Sequence, residues 1–261
     1  MSAGLNIEGP PPPGPGDVFM DLLVTMPPER LAAVLAEAPE KTAPWVRAAA
    51  QSGVPEAQVC YGRMLLEGQG VARDPARALL WFRQAAEDGN ADARNMVGRC
   101  LEEGWGIEPD IAEAARWYAL AAEAGHAWAQ YNLGHLCLDG RGVPRDAEAA
   151  VAWYSRAADQ GHVRAMNLVG RCFEEGWGVD VAPDTARDWY RRSAEGGYFR
   201  GLYNHASLLA ADGRLDEAAA GFQAALDHAP PPSRRLMARA LAASPRPELQ
   251  AIGRRALDRP S

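Results

Sequence analysis

The stretch EEGWGIEPD, from Glu102 to Asp110, recurs later in the chain as EEGWGVDVAPD, from Glu174 to Asp184. Both stretches belong to a series of Gly-x-Gly motifs with a 36-residue period: GQGV at Gly68, GWGI at Gly104, GRGV at Gly140 and GWGV at Gly176. Tryptophans keep the same spacing at Trp81, Trp117, Trp153 and Trp189. Many positions that share one period of this length predict a repeat protein, in which each unit packs against its neighbours.

Each 36-residue unit is predicted to form two helices. The stretch ADARNMVGRCLEEG carries apolar residues at three- and four-residue spacing, which is typical of an amphipathic helix. A glycine within that helix costs about 1 kcal/mol relative to alanine, so we expect it to permit close approach of the partner helix. The four glycines at this position are Gly62, Gly98, Gly134 and Gly170.

The Gly-x-Gly motif is expected to end the first helix and to supply positive φ angles. An aspartate that follows is a candidate N-cap for the second helix, at Asp74, Asp110 and Asp146. In the fourth unit, either Asp180 or Asp184 could take this role.

The units ADARNMVGRCLEEGWGIEPDIAEAARWYALAAEAGH and AWAQYNLGHLCLDGRGVPRDAEAAVAWYSRAADQGH resemble Sel-1-like repeats, relatives of the tetratricopeptide repeat. The resemblance implies an all-α fold, a right-handed α-solenoid of antiparallel helix pairs. Four such repeats cover residues 54–197. We expect a disordered Pro-rich tail at 1–16, capping helices and a half repeat at 17–53, a degenerate tetratricopeptide-like repeat at 198–229 and basic capping helices at 230–261.

A base precedes an acid by four residues on the first helix of every full repeat. The pairs are Arg63 with Glu67, Arg99 with Glu103, His135 with Asp139, and Arg171 with Glu175. Ion pairs within each helix, worth about 0.2–0.5 kcal/mol apiece, are one interpretation. However, an acid that precedes the base is the better order, and acids in the last turn oppose the helix dipole. Bridges between repeats, or contact with a partner, are the alternatives.

First helices line the concave face of tetratricopeptide-type solenoids, so the resemblance implies a partner-binding surface there. Its predicted members are Arg63, Asp92, Asn95, Arg99, Glu102, Glu103, Trp128, Tyr131, His135, Asp139, Arg164, Asn167, Arg171, Glu174, Glu175, Arg200 and Tyr203. Trp105 and Trp177, between the turn glycines, either lie over an adjacent helix or contact a partner along the rim. Repeats of this kind generally mediate complex assembly.

The resemblance therefore implies a bacterial scaffold or adaptor that binds a peptide or helix of another protein, without catalysis, cofactor or small-molecule substrate. A cell-envelope or secreted regulator is the alternative. A third possibility is an enzyme like the cysteine-rich relatives that have been linked to β-lactam hydrolysis. It is disfavoured because the chain lacks Ser-x-x-Lys and the paired cysteines of those relatives.

Charge, hydropathy and cysteine content narrow the possible classes of protein further. The net charge of −7 argues against a whole-chain nucleic-acid binder. Because it has neither an apolar run long enough to span a bilayer nor a secretory signal, the sequence predicts a cytoplasmic protein that does not span a membrane. Four cysteines without CxxC spacing favour buried, reduced thiols, and His126 and His162 are better explained by turn packing than by metal binding. Residues 230–261 carry seven arginines against two acids, as a solvated face or as a docking site.

Overall fold

A computed structural model of the protein describes residues 39–258, and over that range the chain forms thirteen α-helices and no β-strand. The predicted tail at 1–16 and the predicted capping segment before residue 39 lie outside the described residues. The helices are α1 (Pro39–Gln51), α2 (Pro55–Glu67), α3 (Pro75–Glu87), α4 (Ala91–Glu103), α5 (Ile111–Glu123), α6 (Ala127–Asp139), α7 (Ala147–Asp159), α8 (Val163–Glu175), α9 (Pro183–Glu195), α10 (Phe199–Ala211), α11 (Leu215–His228), α12 (Pro231–Ala242) and α13 (Pro247–Leu257).

Helix and loop lengths account for the sequence period. In the second repeat, for example, α4 and α5 are each 13 residues long, a seven-residue loop joins them, and a three-residue turn follows α5. Together these lengths make up the 36-residue repeat. The even-numbered helices from α2 to α10 are the first helices of their repeats, and the odd-numbered helices from α3 to α11 are the second helices.

The chain consists of two compact units, Met1–Ala121 and Ala122–Ser261, called here the N-terminal and C-terminal units. In the N-terminal unit, α1 packs on α2, α2 on α3 and α3 on α4. In the C-terminal unit, every helix from α6 to α13 packs on its neighbour along the chain. The predicted fold class, an all-α solenoid of stacked helix pairs, is confirmed.

The glycine within each first helix lies against an aromatic ring of the second helix. A Cβ added to Gly98 would lie 2.7 Å from two ring carbons of Tyr118, which is closer than real Cβ contacts. The matching rings in the other repeats, Phe82, Tyr154 and Tyr190, are likewise fully buried. The predicted close approach is confirmed, and the group that approaches is a side-chain ring. The missing Cβ makes room for the largest buried side chain of each repeat.

The Gly-x-Gly turn ends the first helix as expected. Gly104 adopts a left-handed φ of 72° and donates its N–H to the carbonyl of Cys100. The second glycine of the turn, Gly106, also has a positive φ, and a Cβ there would lie 2.5 Å from the backbone of Ala76. Two independent constraints, a left-handed conformation and a backbone contact with the preceding repeat, therefore require glycine at this position.

The predicted aspartate caps are confirmed in three repeats. The Oδ1 atoms of Asp74, Asp110 and Asp146 accept backbone N–H groups at 3.0, 2.8 and 2.9 Å. In the fourth repeat the prediction of Asp180 or Asp184 is wrong, since the N-cap is Ala182, which makes no side-chain bond. The cap always lies six residues after the first turn glycine, and the fourth repeat has alanine at that place.

Candidate functional site

The base–acid pairs of the N-terminal unit do not form ion pairs within one helix. Arg63 bonds both carboxylate oxygens of Asp92 at 2.7 Å, so it bridges α2 to α4, the first helix of the next repeat. Glu67 instead accepts a hydrogen bond from Gln69 at 2.6 Å. The alternative of a bridge between repeats is therefore the one that the structure shows here. Asn95, also predicted to bind a partner, is buried within the packing of α4.

Arg99 and Arg171 lie over the tryptophans of the Gly-Trp-Gly turns. Their guanidinium carbons are 4.9 Å and 4.7 Å from the ring centroids of Trp105 and Trp177. Within residues 39–258 neither arginine pairs with the acid four residues later, so the interpretation as ion pairs within one helix is wrong for these repeats. Those acids, Glu103 and Glu175, are exposed. Each indole is half-buried, so contact with a partner at the rim stays a prediction.

Two other predicted carboxylates bind the central tyrosine of their own repeat. The Tyr118 hydroxyl donates to Glu102 at 2.8 Å, and the Tyr190 hydroxyl donates to Glu174. Burial, followed by the neighbouring carboxylate, raises the pKa of Tyr118 above its ordinary value. Glu102 and Glu174 therefore have structural partners, which the sequence analysis missed.

The third repeat lacks this hydrogen bond. The residue that corresponds to Glu102 is Leu138, and the buried hydroxyl of Tyr154 has no partner among the described residues. The first repeat has Leu66 opposite Phe82, where neither a carboxylate nor a hydroxyl is present. A comparison of residues 16 positions apart in each repeat would have found this mismatch.

The predicted aromatic residues of α6 form a cluster with the turn that precedes α8. Trp128, which is 45% exposed, lies edge-on to Tyr131 and to His162, with ring centroids 5.9 and 4.4 Å apart. His135 contacts Tyr131 in turn, at 4.6 Å. Arg164 completes the cluster, with its guanidinium carbon 5.1 Å from the Trp128 ring. The partly exposed Trp128 indole thus contacts one cation and two aromatic rings, and His135 extends the cluster through Tyr131.

His126 and His162 both act as helix caps. Their Nδ1 atoms accept the backbone N–H groups of Ala129 and Ala165 at 3.2 and 3.1 Å, which confirms their structural role in the turns. Burial, and then the charge of Arg164, lowers the pKa of His162 to about 4. The ring is therefore neutral near pH 7, as a hydrogen-bond acceptor must be.

Helices α8, α10 and α12 of the C-terminal unit form a groove of about 580 Å³. Six of the predicted partner-binding residues line it together: Asn167, Arg171, Glu174, Glu175, Arg200 and Tyr203. Six further residues complete the lining: Phe199, Asn204, Ser233, Leu236, Met237 and Ala240. None of these six was among the predicted site residues: Phe199 and Asn204 belong to α10, and the other four belong to α12, where only the arginines had suggested docking. Five other residues of this unit that were predicted on the concave face do not line this groove: Trp128, Tyr131, His135 and Asp139 of α6, and Arg164 at the start of α8.

The interior of this C-terminal groove combines polar and apolar groups. Asn204 donates its side-chain N–H to the Oδ1 of Asn167 at 2.9 Å, a bond that joins α8 to α10. Tyr203 lies edge-on to the buried Phe222, with ring centroids 5.0 Å apart. Leu236 is 71% exposed at the side of α12. Charged, amide, aromatic and aliphatic side chains are thus all available in one groove.

A second groove, of about 410 Å³, lies in the N-terminal unit. It is formed by the first helices α2 and α4 and the loops that follow them. Its lining includes Arg63 and Arg99 of the predicted surface, the predicted rim residue Trp105, and Arg73, which the sequence analysis missed.

The family model for the Sel1 repeat matches residues 55–90, 91–126, 129–162 and 163–198, more than half of the chain. This chain belongs to the Sel1 repeat family. Among solved structures it is similar to a Sel1 repeat protein from Oxalobacter formigenes, at 26% identity and a TM-score of 0.74, over 88% of this chain and 96% of that one. The two chains share the repeat architecture over nearly their full lengths.

Two further solved structures are similar to this Sel1 repeat chain. The protein c5321, a protective antigen present in uropathogenic Escherichia coli strains, is 25% identical with a TM-score of 0.68, over 84% of this chain and 49% of that one. The immunity protein Pa5087 from Pseudomonas aeruginosa is 16% identical with a TM-score of 0.50, over 78% and 80%, and shows the fold alone. None of the curated proteins compared with the chain matches it.

Two other properties of the Sel1 repeat chain concern metals and membranes. Across residues 39–258, no group of three or more His, Cys, Asp or Glu side chains is placed to hold a metal ion. None of the helices described is long and apolar enough to cross a membrane.

Proposed function

We propose that this Sel1 repeat protein is a scaffold or adaptor that binds a segment of another protein in the C-terminal groove, without catalysis and without a cofactor. Sel1 repeats generally serve protein interaction, and this groove gathers six of the residues that the sequence singled out. The partner is a peptide or helix, because a groove of about 580 Å³ accommodates several side chains of a protein segment.

The exposed Leu236 is the observation that carries the proposal. A leucine that is 71% exposed beside Phe199 and Tyr203 forms an apolar surface, and charged residues border it. Apolar centres with polar rims are typical of protein-binding surfaces. Tyrosine and arginine are also the residue types that most often dominate binding energy.

The polar residues of the groove supply orientation. Arg171 and Arg200 offer planar guanidinium groups that form paired hydrogen bonds with carboxylates. The bond between Asn204 and Asn167 holds two amides in fixed positions, so little side-chain entropy is lost when a partner binds. The partner would place an apolar side chain against Leu236 and Tyr203 and an acidic or carbonyl group against the arginines.

A pair of leucine variants tests this proposal. Leu236→Asp places a charge in the groove, whereas Leu80→Asp makes the same change on α3, where Leu80 is 64% exposed outside the groove. Both variants should keep the thermal midpoint of the wild type, since both side chains are mostly solvated. Affinity capture from a lysate of the source organism should recover a protein that Leu236→Asp loses and Leu80→Asp retains. If folded Leu236→Asp captures every protein that the wild type does, the proposal fails.

The cytoplasm is the compartment that we propose. All four cysteines are free thiols, and burial raises the pKa of Cys100 and Cys172 to about 11. Buried thiols of this kind are typical of proteins in reducing compartments. A thiol titration of protein isolated from its native host should find four reactive cysteines after denaturation. Two disulfides would contradict this location and favour the cell envelope or the exterior.

A further inference from the structure

The N-terminal groove differs from the C-terminal groove in its balance of charge. Three arginines, Arg63, Arg73 and Arg99, face a single acid, Glu67. The apolar part of the lining consists of Leu66, Met96 and Trp105. This excess of positive charge is local, because the whole chain has a net charge of −7.

Two of these arginines retain unused hydrogen-bond donors. Arg63 is neutralised by Asp92. Arg73 donates its Nε–H to the carbonyl of Leu66 at 3.0 Å, and among the described residues its two terminal nitrogens make no further bond. Arg99 donates to the Met96 sulfur at 3.8 Å and lies over the Trp105 ring, and within residues 39–258 it forms no ion pair with a carboxylate. Two guanidinium groups therefore point unmatched charge toward the groove.

The chemistry of these groups selects the ligand. A guanidinium presents paired N–H donors that match the two oxygens of a carboxylate. Trp105 is half-buried, and together with Leu66 and Met96 it offers an apolar surface directly beside those donors. Glu67 and the overall negative charge oppose a polyanion such as a nucleic acid.

We propose that the N-terminal groove is a second binding site, which takes an acidic side chain adjacent to an apolar one on a segment of a partner protein. The carboxylate pairs with Arg99 and Arg73, and the apolar side chain lies against Trp105 and Met96. This site is separate from the C-terminal groove and does not depend on Leu236.

A peptide array tests the site without knowledge of the natural partner. The array presents peptides that pair Asp or Glu with Leu, Ile, Phe, Tyr or Trp, in both orders. Each peptide has a control in which Asn replaces Asp or Gln replaces Glu. The wild type should prefer the acidic members. Arg99→Gln should reduce that preference by roughly tenfold or more, the value of one charge-assisted hydrogen bond to a carboxylate. Arg116→Gln, an exposed arginine of α5 outside the groove, is the matched control and should bind as the wild type does.

A second variant separates binding from folding. Trp105→Gln installs the residue that the first repeat already carries at the equivalent position, Gln69, so the turn should fold normally. It should weaken the peptides whose apolar member is aromatic, while its circular dichroism spectrum stays that of the wild type. Equal binding of acidic and amide peptides would overturn the site, as would an acid preference that persists when Arg99→Gln is combined with Leu236→Asp, which blocks the C-terminal groove. Binding of a single-stranded oligonucleotide that depends on Arg99 would also overturn it.

The array also distinguishes this site from the proposed function. Leu236→Asp should leave peptide binding in the N-terminal groove unchanged, while Arg99→Gln should leave the Leu236-dependent capture unchanged. If the wild type shows Leu236-dependent capture but no Arg99-dependent preference for acidic peptides, only this second site has failed. The reverse result refutes only the proposed function.

Discussion

The central tyrosine can be changed to phenylalanine in three repeats, which give its hydroxyl two different environments. Tyr118 and Tyr190 donate their hydroxyls to Glu102 and Glu174, whereas the hydroxyl of Tyr154 is buried without a partner in the described chain. All three rings are fully buried against a first-helix glycine. The substitution removes one oxygen atom in each case and leaves the ring packing as it is.

The expected changes in the free energy of unfolding differ in size and in sign between these substitutions. A hydrogen bond to a charged group contributes about 1.5–3 kcal/mol, and we expect the lower value for Tyr118 because Glu102 is partly exposed. Tyr118→Phe should therefore lower the thermal midpoint by roughly 3–6 °C in a protein of this size. An unpartnered buried hydroxyl is itself unfavourable by about 1–3 kcal/mol, so Tyr154→Phe should leave the midpoint unchanged or raise it.

Thermal and urea unfolding followed by circular dichroism measure these differences. A double-mutant cycle adds a positive test, because Leu138→Glu supplies the third repeat with the acceptor that the second repeat has at Glu102. That substitution should stabilise the protein when Tyr154 is present and should not do so in the Tyr154→Phe background. Equal losses of stability in Tyr118→Phe and Tyr154→Phe, or no coupling between positions 138 and 154, would contradict the roles given to these hydroxyls.

Three other outcomes are expected. Gly98→Ala should destabilise the protein by about 1–3 kcal/mol, because the added Cβ overlaps the Tyr118 ring. The loss should be smaller in a Tyr118→Leu background, where that ring is absent. Ala182→Asp should raise the thermal midpoint through a gain of about 0.5–1 kcal/mol, because the backbone of Ala182 resembles that of the capping Asp146; Asp146→Ala should have the opposite effect. The pKa of His162 falls from 6.5 to about 4 on folding, so its stabilising contribution is complete above pH 6.5 and is lost as the pH falls through about 4. As the pH falls from 6.5 to about 4, the thermal midpoint should fall less in His162→Asn than in the wild type, because asparagine caps the helix without titrating. An identical fall in both proteins would contradict this.

The features that could be predicted from the sequence are local ones. The left-handed glycine at Gly104 and the cap at Asp110 depend on residues within one turn, and the 36-residue period places them correctly in other repeats. The cap of the fourth repeat was mispredicted because aspartates flank Ala182 in sequence, while the loop length alone selects the capping position.

The partners of the charged residues could not be predicted in the same way. Asp92 is 29 residues from Arg63 in sequence, and only the stacking of α4 beside α2 brings their side chains together. The groove residue Leu236 lies on α12, outside the repeated pattern, so no period indicated it. Leu236 lines the groove only because α12 lies beside α10, and that placement is set by packing between helices.

The Gly-x-Gly turn separates conformation from surface chemistry. In the N-terminal unit, Gly106 contacts the backbone of Ala76, and in the C-terminal unit Gly178 contacts the backbone of Ala147, so the second glycine fixes how one repeat joins the previous one. The residue between the glycines is not constrained in this way, since it is Gln69, Trp105, Arg141 and Trp177 in successive repeats. Each repeat thus carries one position whose side chain varies while the stack is kept, so the surface chemistry along the turns can change one repeat at a time.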